Sequence, residues 1–361
     1  MTGSSIVEAQ ATTSEADLFS RIQPWSGTAP RGYFVNWLGA RIAVPFWAHW
    51  LPHDQILDVL ANDRPTKSRY PQWGDGEAFF EQANIMRSVV NAEDCYVMVE
   101  VGGGNGPRAV DSALALRQIR PDLNPFLVVV EALPTYVDWC RFHFRSNDLD
   151  PDKHWIITGI VSAEPIPVPF FLRPHGFGNQ ANDPSILEVM AQAAGDQASA
   201  QNLLAHLCGR GVLIEDGRVV EGWPRAPVDL NGFVDWSLEK MLNHTVTPAK
   251  TAEIGFVSAL TLSNILVPLP YVDFMDVDIQ HAEITVIPPS IDLLCEKVKL
   301  LSIGTHTKEI HSELLSLFRE RGWKIIYDIE PYGTHSRDGM AFSNDDGVLT
   351  LQNPDFATKV A

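Results

Sequence analysis

Two groups of residues in this chain have the types and spacing from which a chemical site could be built. The first is Val99-Glu100-Val101-Gly102-Gly103-Gly104-Asn105-Gly106, an acidic residue two places ahead of alternating glycines. Where such a loop ends a strand and opens a helix, the glycines let the backbone approach a ligand and the helix start offers unpaired N–H groups. A dinucleotide site asks for G-x-G-x-x-G; counted from Gly102, its third glycine falls on Pro107, so the spacing here is G-x-G-x-G. Glu131, at the tip of the next apolar segment, could accept hydrogen bonds from both hydroxyls of a ribose. It supports an adenosine ligand without choosing between cofactors. The expected cofactor-binding set is Glu100, Gly102, Gly104, Gly106, Glu131 and Gly159, the last in the third apolar segment.

The second group is Asp276, Asp278, His281 and His306. An imidazole of ordinary pKa can take a proton, a contribution of about two to four orders of magnitude in rate. His306 is the first choice as base, Asp278 the positioning group, and His281 completes the catalytic set. The same four residues have the ligand types for a divalent ion such as Mg²⁺, Mn²⁺ or Fe²⁺. Residues two apart on a strand point the same way, so Asp276 and Asp278 could face one ion. His311, one turn into a helix, reads as a surface or cap residue, and His335 sits in a late loop.

These residues need strand ends to hold them, and the pattern provides such ends. Apolar runs at Tyr96–Val101, 126–130 and 155–161 alternate with helices over about 108–120 and 134–147. Continuous apolar strands separated by helices imply a parallel sheet covered on both faces. Strands resume at 271–279 and 299–303, a helix follows over 307–321 with Gly322 as its C-cap, and two last strands at 323–329 and 347–351 flank a polar loop. Their closeness predicts an antiparallel pair closing the sheet edge. Between the halves, residues 173–256 carry Gly176, Gly178, a helical stretch at 186–207 and a hairpin turning at Asp216-Gly217. An insertion of that length reads as a lid or substrate element.

Ahead of the sheet, residues 1–24 are rich in Ser, Thr, Ala and Glu and read as a disordered leader. Residues 25–94 read as an N-terminal helical and aromatic cap with Tyr33, Phe34, Trp37, Phe46, Trp47 and Trp50, aromatics expected in the core. The balance of 45 acidic against 27 basic residues, net −18, makes nucleic acid and anionic membranes poor partners. No apolar run reaches the roughly 20 residues of a transmembrane helix. Four scattered cysteines, Cys95, Cys140, Cys208 and Cys295, argue against structural zinc or a disulfide framework and fit a cytoplasmic protein. A homodimer is the base-rate expectation.

The glycine loop with its preceding acid resembles motif I of class I S-adenosylmethionine-dependent methyltransferases. The second half adds to this: residues 257–283, VSALTLSNILVPLPYVDFMDVDIQHAE, resemble the FkbM-type methyltransferase pattern, with Asp273, Asp278 and Glu283 on its acidic positions. Leu301-Ser302-Ile303-Gly304-Thr305-His306 resembles the family's next strand, with His306 on its histidine. The chain departs from the pattern at Asp276 (Lys in the family), His281 (Gly) and Gly304 (Glu). The resemblance implies an α/β, Rossmann-like class I methyltransferase fold: a mostly parallel sheet with a final antiparallel strand, the N-terminal cap and the insertion added. It also implies S-adenosylmethionine as cofactor, with a divalent metal as an option, and O-methylation of a small-molecule hydroxyl on a sugar or natural product. A nicotinamide-dependent oxidoreductase and a non-catalytic cofactor-binding module are the rival expectations.

Overall fold

The computed structural model describes residues 14–44, 55, 58–59, 63–165 and 258–356, and the strands Val168–Leu172, Val212–Glu215, Arg218–Glu221 and Glu253–Val257. At its centre is a seven-stranded sheet. Its strands are β1 (Tyr96–Val101), β2 (Pro125–Glu131), β3 (Trp155–Thr158), β4 (Val272–Val277), β5 (Val298–Thr305), β6 (Lys324–Ile329) and β7 (Gly347–Gln352), in the spatial order β6-β7-β5-β4-β1-β2-β3. The pairs from β3 across to β5 are parallel, while β7 runs antiparallel to both of its neighbours. The expected Rossmann-like α/β fold, a mostly parallel sheet with a final antiparallel strand, is the one the chain adopts.

Both faces are covered, as near-continuous apolar strands require. Alternate residues of β1 face opposite layers: Tyr96 and Met98 join one core cluster, Val97 and Val99 the other. The first layer is built by helices α1 (Glu77–Val90), α2 (Pro107–Ile119) and α3 (Pro134–Ser146), through Phe80, Met86, Val110, Leu116, Cys140 and Phe144. The second includes α4 (Lys308–Glu320) and the short helices Leu262–Leu266 and Ile291–Lys297, through Leu314, Phe318, Leu266 and Leu294. The chain leaves β1 in one direction along the sheet and returns to β4 on its other side. The β1/β4 junction is therefore the switch point where ligands of such sheets bind.

Several expectations need correction. Residues 14–24 are not a disordered leader: Glu15–Phe19 is a helix capped by Ser14, and Leu18, Phe19 and Ile22 are buried in the main core. Residues 1–13 lie outside the described residues. The segment expected as a cap contributes α1 to the sheet's first layer. Its strands Ser26–Ala29, Tyr33–Val35, Arg41–Ala43 and Arg64–Lys67 form two-stranded ribbons. Asn36 and Gln82 donate to Asp111 and fasten this segment to α2. Trp37 is core, as expected; Phe46, Trp47 and Trp50 lie outside the described residues. The third strand stops at Thr158, and Ile160–Val161 pairs instead with Ala259–Leu260.

The last two strands do pair antiparallel at the sheet edge, as expected, with β6 outermost and β7 between it and β5. The loop joining them contains a hairpin, Gly333–Arg337 with Met340–Asn344. Within the insertion the predicted hairpin is present, Val212–Glu215 against Arg218–Glu221, in a four-stranded antiparallel sheet with Glu253–Val257 and Val168–Leu172. The helix expected at 186–207 and the loop at Gly176 and Gly178 lie outside the described residues. Among the described residues no helix is long and apolar enough to cross a membrane.

Candidate functional site

The glycine loop joins β1 to α2 at the switch point, and its glycines serve different purposes. A methyl group on Gly102, at φ +81°, would lie 1.8 Å from the carbonyl oxygen of Asp278; this glycine lets the ends of β1 and β4 close on each other. The Asp278 N–H donates to the Val101 carbonyl at 2.9 Å across the same junction. Gly106 makes room for Cys140 and Phe144 of α3, and Gly159 for the Ser258 carbonyl. Only Gly104 among the four expected glycines faces open space: nothing lies within 4 Å of a Cβ built there. A side chain at Gly104 would thus meet nothing, whereas one at Gly102, Gly106 or Gly159 would collide with neighbouring groups.

Glu100 and Glu131 stand on either side of that loop. Glu100 is buried, and its two carboxyl oxygens accept from the N–H groups of Arg108 (3.3 Å) and Ala109 (2.9 Å) in the first turn of α2. Burial pushes its carboxyl up to about 8, against the opposing pull of Arg108 and those two backbone bonds. The N-terminus of α2 is thus filled from within the protein. Glu131 accepts from Gly104 N (2.9 Å) and Leu133 N (2.8 Å), one bond to each oxygen. Burial raises its pKa, and the backbone donors oppose the rise. Each oxygen keeps a lone pair, because a carboxylate offers about four acceptor sites.

Beyond the loop, carboxyl groups crowd around one guanidinium. Arg108 is ion-paired to Glu81 of α1, to Asp276 (3.5 Å) and to Asp278 (4.0 Å). Its pKa is raised, the carboxylates outweighing burial. Asp276 and Asp278 do point the same way, as expected, but toward Arg108. Burial pushes Asp276 up to about 7, with Arg108 opposing. Glu77, in the first turn of α1, is pushed up to about 8 by burial and then by the charges of Glu81 and Asp278. Asp273 lies at the opposite end of β4, pinning Val97 N and Lys299, and takes no part.

His306, just past β5, is buried between two carboxylates. Its Nδ1 lies 2.9 Å from Glu283 Oε1 and its Nε2 3.2 Å from Asp278 Oδ1, with Asp346 Oδ1 3.9 Å from Nε2. Burial pulls the imidazole down, but Asp278 and Glu283 prevail and push it up to about 10. Asp278 is held low in turn: His306 and Arg108 outweigh its own burial. With no cation bound, the two carboxylates favour the protonated ring. A ring whose proton is held by two carboxylates is a weaker base than the free imidazole that the sequence suggested. Gln280 and His281 turn the chain away from β4 with φ of 51° and 75°, the left-handed region that non-glycine residues enter at a cost. The His281 ring packs against that of His306, centroids 5.3 Å apart.

Of the four candidate ligands, the structure brings Asp278 and His306 together with Glu283, and leaves Asp276 with Arg108. Gly304, where the family pattern has Glu, lies against the Asp278 carboxyl. Tyr332 donates to the His306 carbonyl at 3.0 Å. His311 is buried, not on the surface, between Thr305 Oγ1 and Asp328 Oδ1. His335 bonds the Glu330 carbonyl outside the site. Sequence reasoning missed Arg108, Glu77 and Asp346. Arg108 follows directly on the glycine loop and was detectable as a cation at a helix start; the other two come from elements whose placement only the fold reveals.

No protein-family model matches the chain, and no curated protein matches it. Among solved structures, one described as precorrin-6y C5,15-methyltransferase from Geobacter metallireducens GS-15 is similar at 8% sequence identity, covering 79% of this chain and 93% of that chain. Its TM-score is 0.33, a likeness too distant to bear on this chain's activity.

Proposed function

We propose that this chain is an S-adenosylmethionine-dependent methyltransferase acting on a hydroxyl group of a small molecule. The observation that carries the cofactor assignment is Glu100. A dinucleotide places its diphosphate on the N-terminus of the helix after β1, and here a protein carboxyl occupies those N–H groups. What remains suits an adenosine without phosphates: open space at Gly104 and the spare lone pairs of Glu131 for two ribose hydroxyls. The residues present therefore fit S-adenosylmethionine, with Glu131 and the Gly104 backbone as its holders. Bound there, the cofactor supplies an electrophilic methyl group on a positively charged sulfur.

Of the carboxyls at the ends of β1 and β4, Asp278 is the one held ionised, and its charge favours a sulfonium beside it. Asp278, held ionised by His306 and Arg108, can accept the hydrogen bond of an acceptor hydroxyl and orient it. A hydroxyl oxygen becomes strongly acidic as it is alkylated, so even a weakly basic carboxylate such as Asp278 suffices to take the proton. Alignment of the two reactants supplies the larger share, on the order of 7 to 11 kcal/mol. The small-molecule hydroxyl as acceptor follows from the FkbM resemblance. Calorimetric titration with S-adenosylmethionine, S-adenosylhomocysteine and NADH tests the reading on wild type and Glu131→Ala. Micromolar binding of the first two, weakened in the variant, is expected; preferential binding of NADH would overturn it.

A further inference from the structure

We propose that Asp278 and His306 form a divalent-cation site, with Asp346 as a third ligand and Glu283 as the group that orients the histidine. One donor atom from each of Asp278, Glu283 and His306 lies within 4.8 Å of the others. Crowded carboxylates alone would not point to a ligand; the buried, unsatisfied atoms among them do. His306 is 2% exposed and Glu283 0%, yet neither His306 Nε2 nor Glu283 Oε2 makes a hydrogen bond. The Nε2 nitrogen is aimed into the cluster, 3.2 Å from Asp278 Oδ1 and 3.9 Å from Asp346 Oδ1.

Those separations suit a shared ion. Donors bound at about 2.1 to 2.3 Å and at right angles lie roughly 3.0 to 3.3 Å apart, and opposite donors roughly 4.2 to 4.6 Å. The Nε2-to-Asp278 distance is the edge of such a polyhedron, and Asp346 stands between the two limits. Glu283 supplies what metal-bound histidines almost always have, a carboxylate on the other ring nitrogen that fixes its orientation. Its Oε1 is itself held by the Ile279 N–H at 3.1 Å. One imidazole with carboxylates favours Mn²⁺, Fe²⁺ or Zn²⁺ over Ca²⁺, which takes oxygen ligands throughout.

The ligand set differs from the one the sequence suggested: Asp276 is replaced by Asp346, and His281 only packs on the ring. Binding of the ion stands apart from the methyltransferase reading; its use rests on that reading. At this position the ion would coordinate the acceptor hydroxyl and acidify it, relieving Asp278 of the role of base.

Mn²⁺ titrated into the full-length chain without cofactor, followed by loss of the free-ion electron paramagnetic resonance signal, tests the site directly. One ion per chain is expected. Asp278→Asn and His306→Gln should each raise the Kd at least tenfold, Glu283→Gln by 10- to 100-fold, and the exposed Asp345→Asn less than twofold. Circular dichroism and thermal melting establish that each variant is folded. No bound ion in the wild type at millimolar Mn²⁺, or binding that survives both Asp278→Asn and His306→Gln, would overturn the proposal. Failure to bind S-adenosylmethionine would sink the methyltransferase reading alone.

Discussion

Gly102 and Gly104 stand two residues apart in one loop, both with positive φ, and substitution by alanine should separate what each does. At Gly102 the added methyl meets the Asp278 carbonyl oxygen at 1.8 Å, so the ends of β1 and β4 must part by more than an ångström. The left-handed backbone costs about 1–2 kcal/mol for a residue with a Cβ. Overpacking against unyielding backbone adds about 1–3 kcal/mol, and loss of the Asp278-to-Val101 hydrogen bond about 0.5–1.5 kcal/mol. Gly102→Ala should therefore lower the unfolding free energy by about 2.5–6.5 kcal/mol. At Gly104 nothing lies within 4 Å, and only the backbone cost of about 1–2 kcal/mol applies. Its methyl would instead project into the space assigned to the cofactor. Urea unfolding of both variants, paired with calorimetric titration of S-adenosylhomocysteine, reads the two effects. Gly104→Ala should lose only that backbone cost yet bind at least tenfold more weakly. A Gly102→Ala protein as stable as wild type, or a Gly104→Ala protein of unchanged affinity, would refute the division of labour.

Glu131→Gln keeps the size of the side chain but turns an amide donor toward either the Gly104 or the Leu133 N–H. Calorimetry should show cofactor affinity falling at least tenfold, with a stability loss of about 1–3 kcal/mol in urea unfolding. For His306 the folded pKa, about 10, lies above the ordinary value of about 6.5. The stability it contributes is complete below the unfolded pKa and is lost as pH rises through the folded one. Unfolding free energy of the protein kept metal-free with a chelator, measured from about pH 7 to 10.5, should fall more steeply for wild type than for His306→Gln, and parallel curves would count against a raised His306 pKa. Arg108→Leu strips the cation from Glu81, Asp276 and Asp278 and should cost about 3–5 kcal/mol. Because those carboxyls can then be neutralised only by protonation, the loss in unfolding free energy should be smaller at pH 5.5 than at pH 8.

What the sequence made legible was local. Runs such as YVMVEV and FLVVV can only be strands buried on both faces, and β1, β2, β4 and β5 lie within a few residues of where these runs predict. The glycine loop and Glu131 were readable because their meaning depends on a single β-turn-α unit. What failed depends on distant pairing. Nothing near Gly347 records that β7 will slip between β5 and β6, and a polar composition hid the helix turn that buries Leu18, Phe19 and Ile22. The same limit shaped the site. Asp278 and His306 were found as strand-end residues, but nothing in the sequence tells that Glu283 and Asp278 close on the ring from two sides. That Gly102, Gly106 and Gly159 also make room for Asp278, Cys140 and Ser258 could be known only once those neighbours were placed.

The position of β7 also orders events as the chain leaves the ribosome. Strands β1 to β5 can pair with one another as they emerge, but the outer edge of β5 must wait for a strand made after β6. Until then β6 has no neighbour in the sheet, and an apolar strand edge stays exposed to any other nascent chain. The turn that opens β7 also carries Asp346 toward His306. A premature stop near residue 340 would therefore yield a product with an open sheet and an incomplete site, recognisable to quality-control proteases by that edge. Sheet closure and assembly of the acidic centre are one late step.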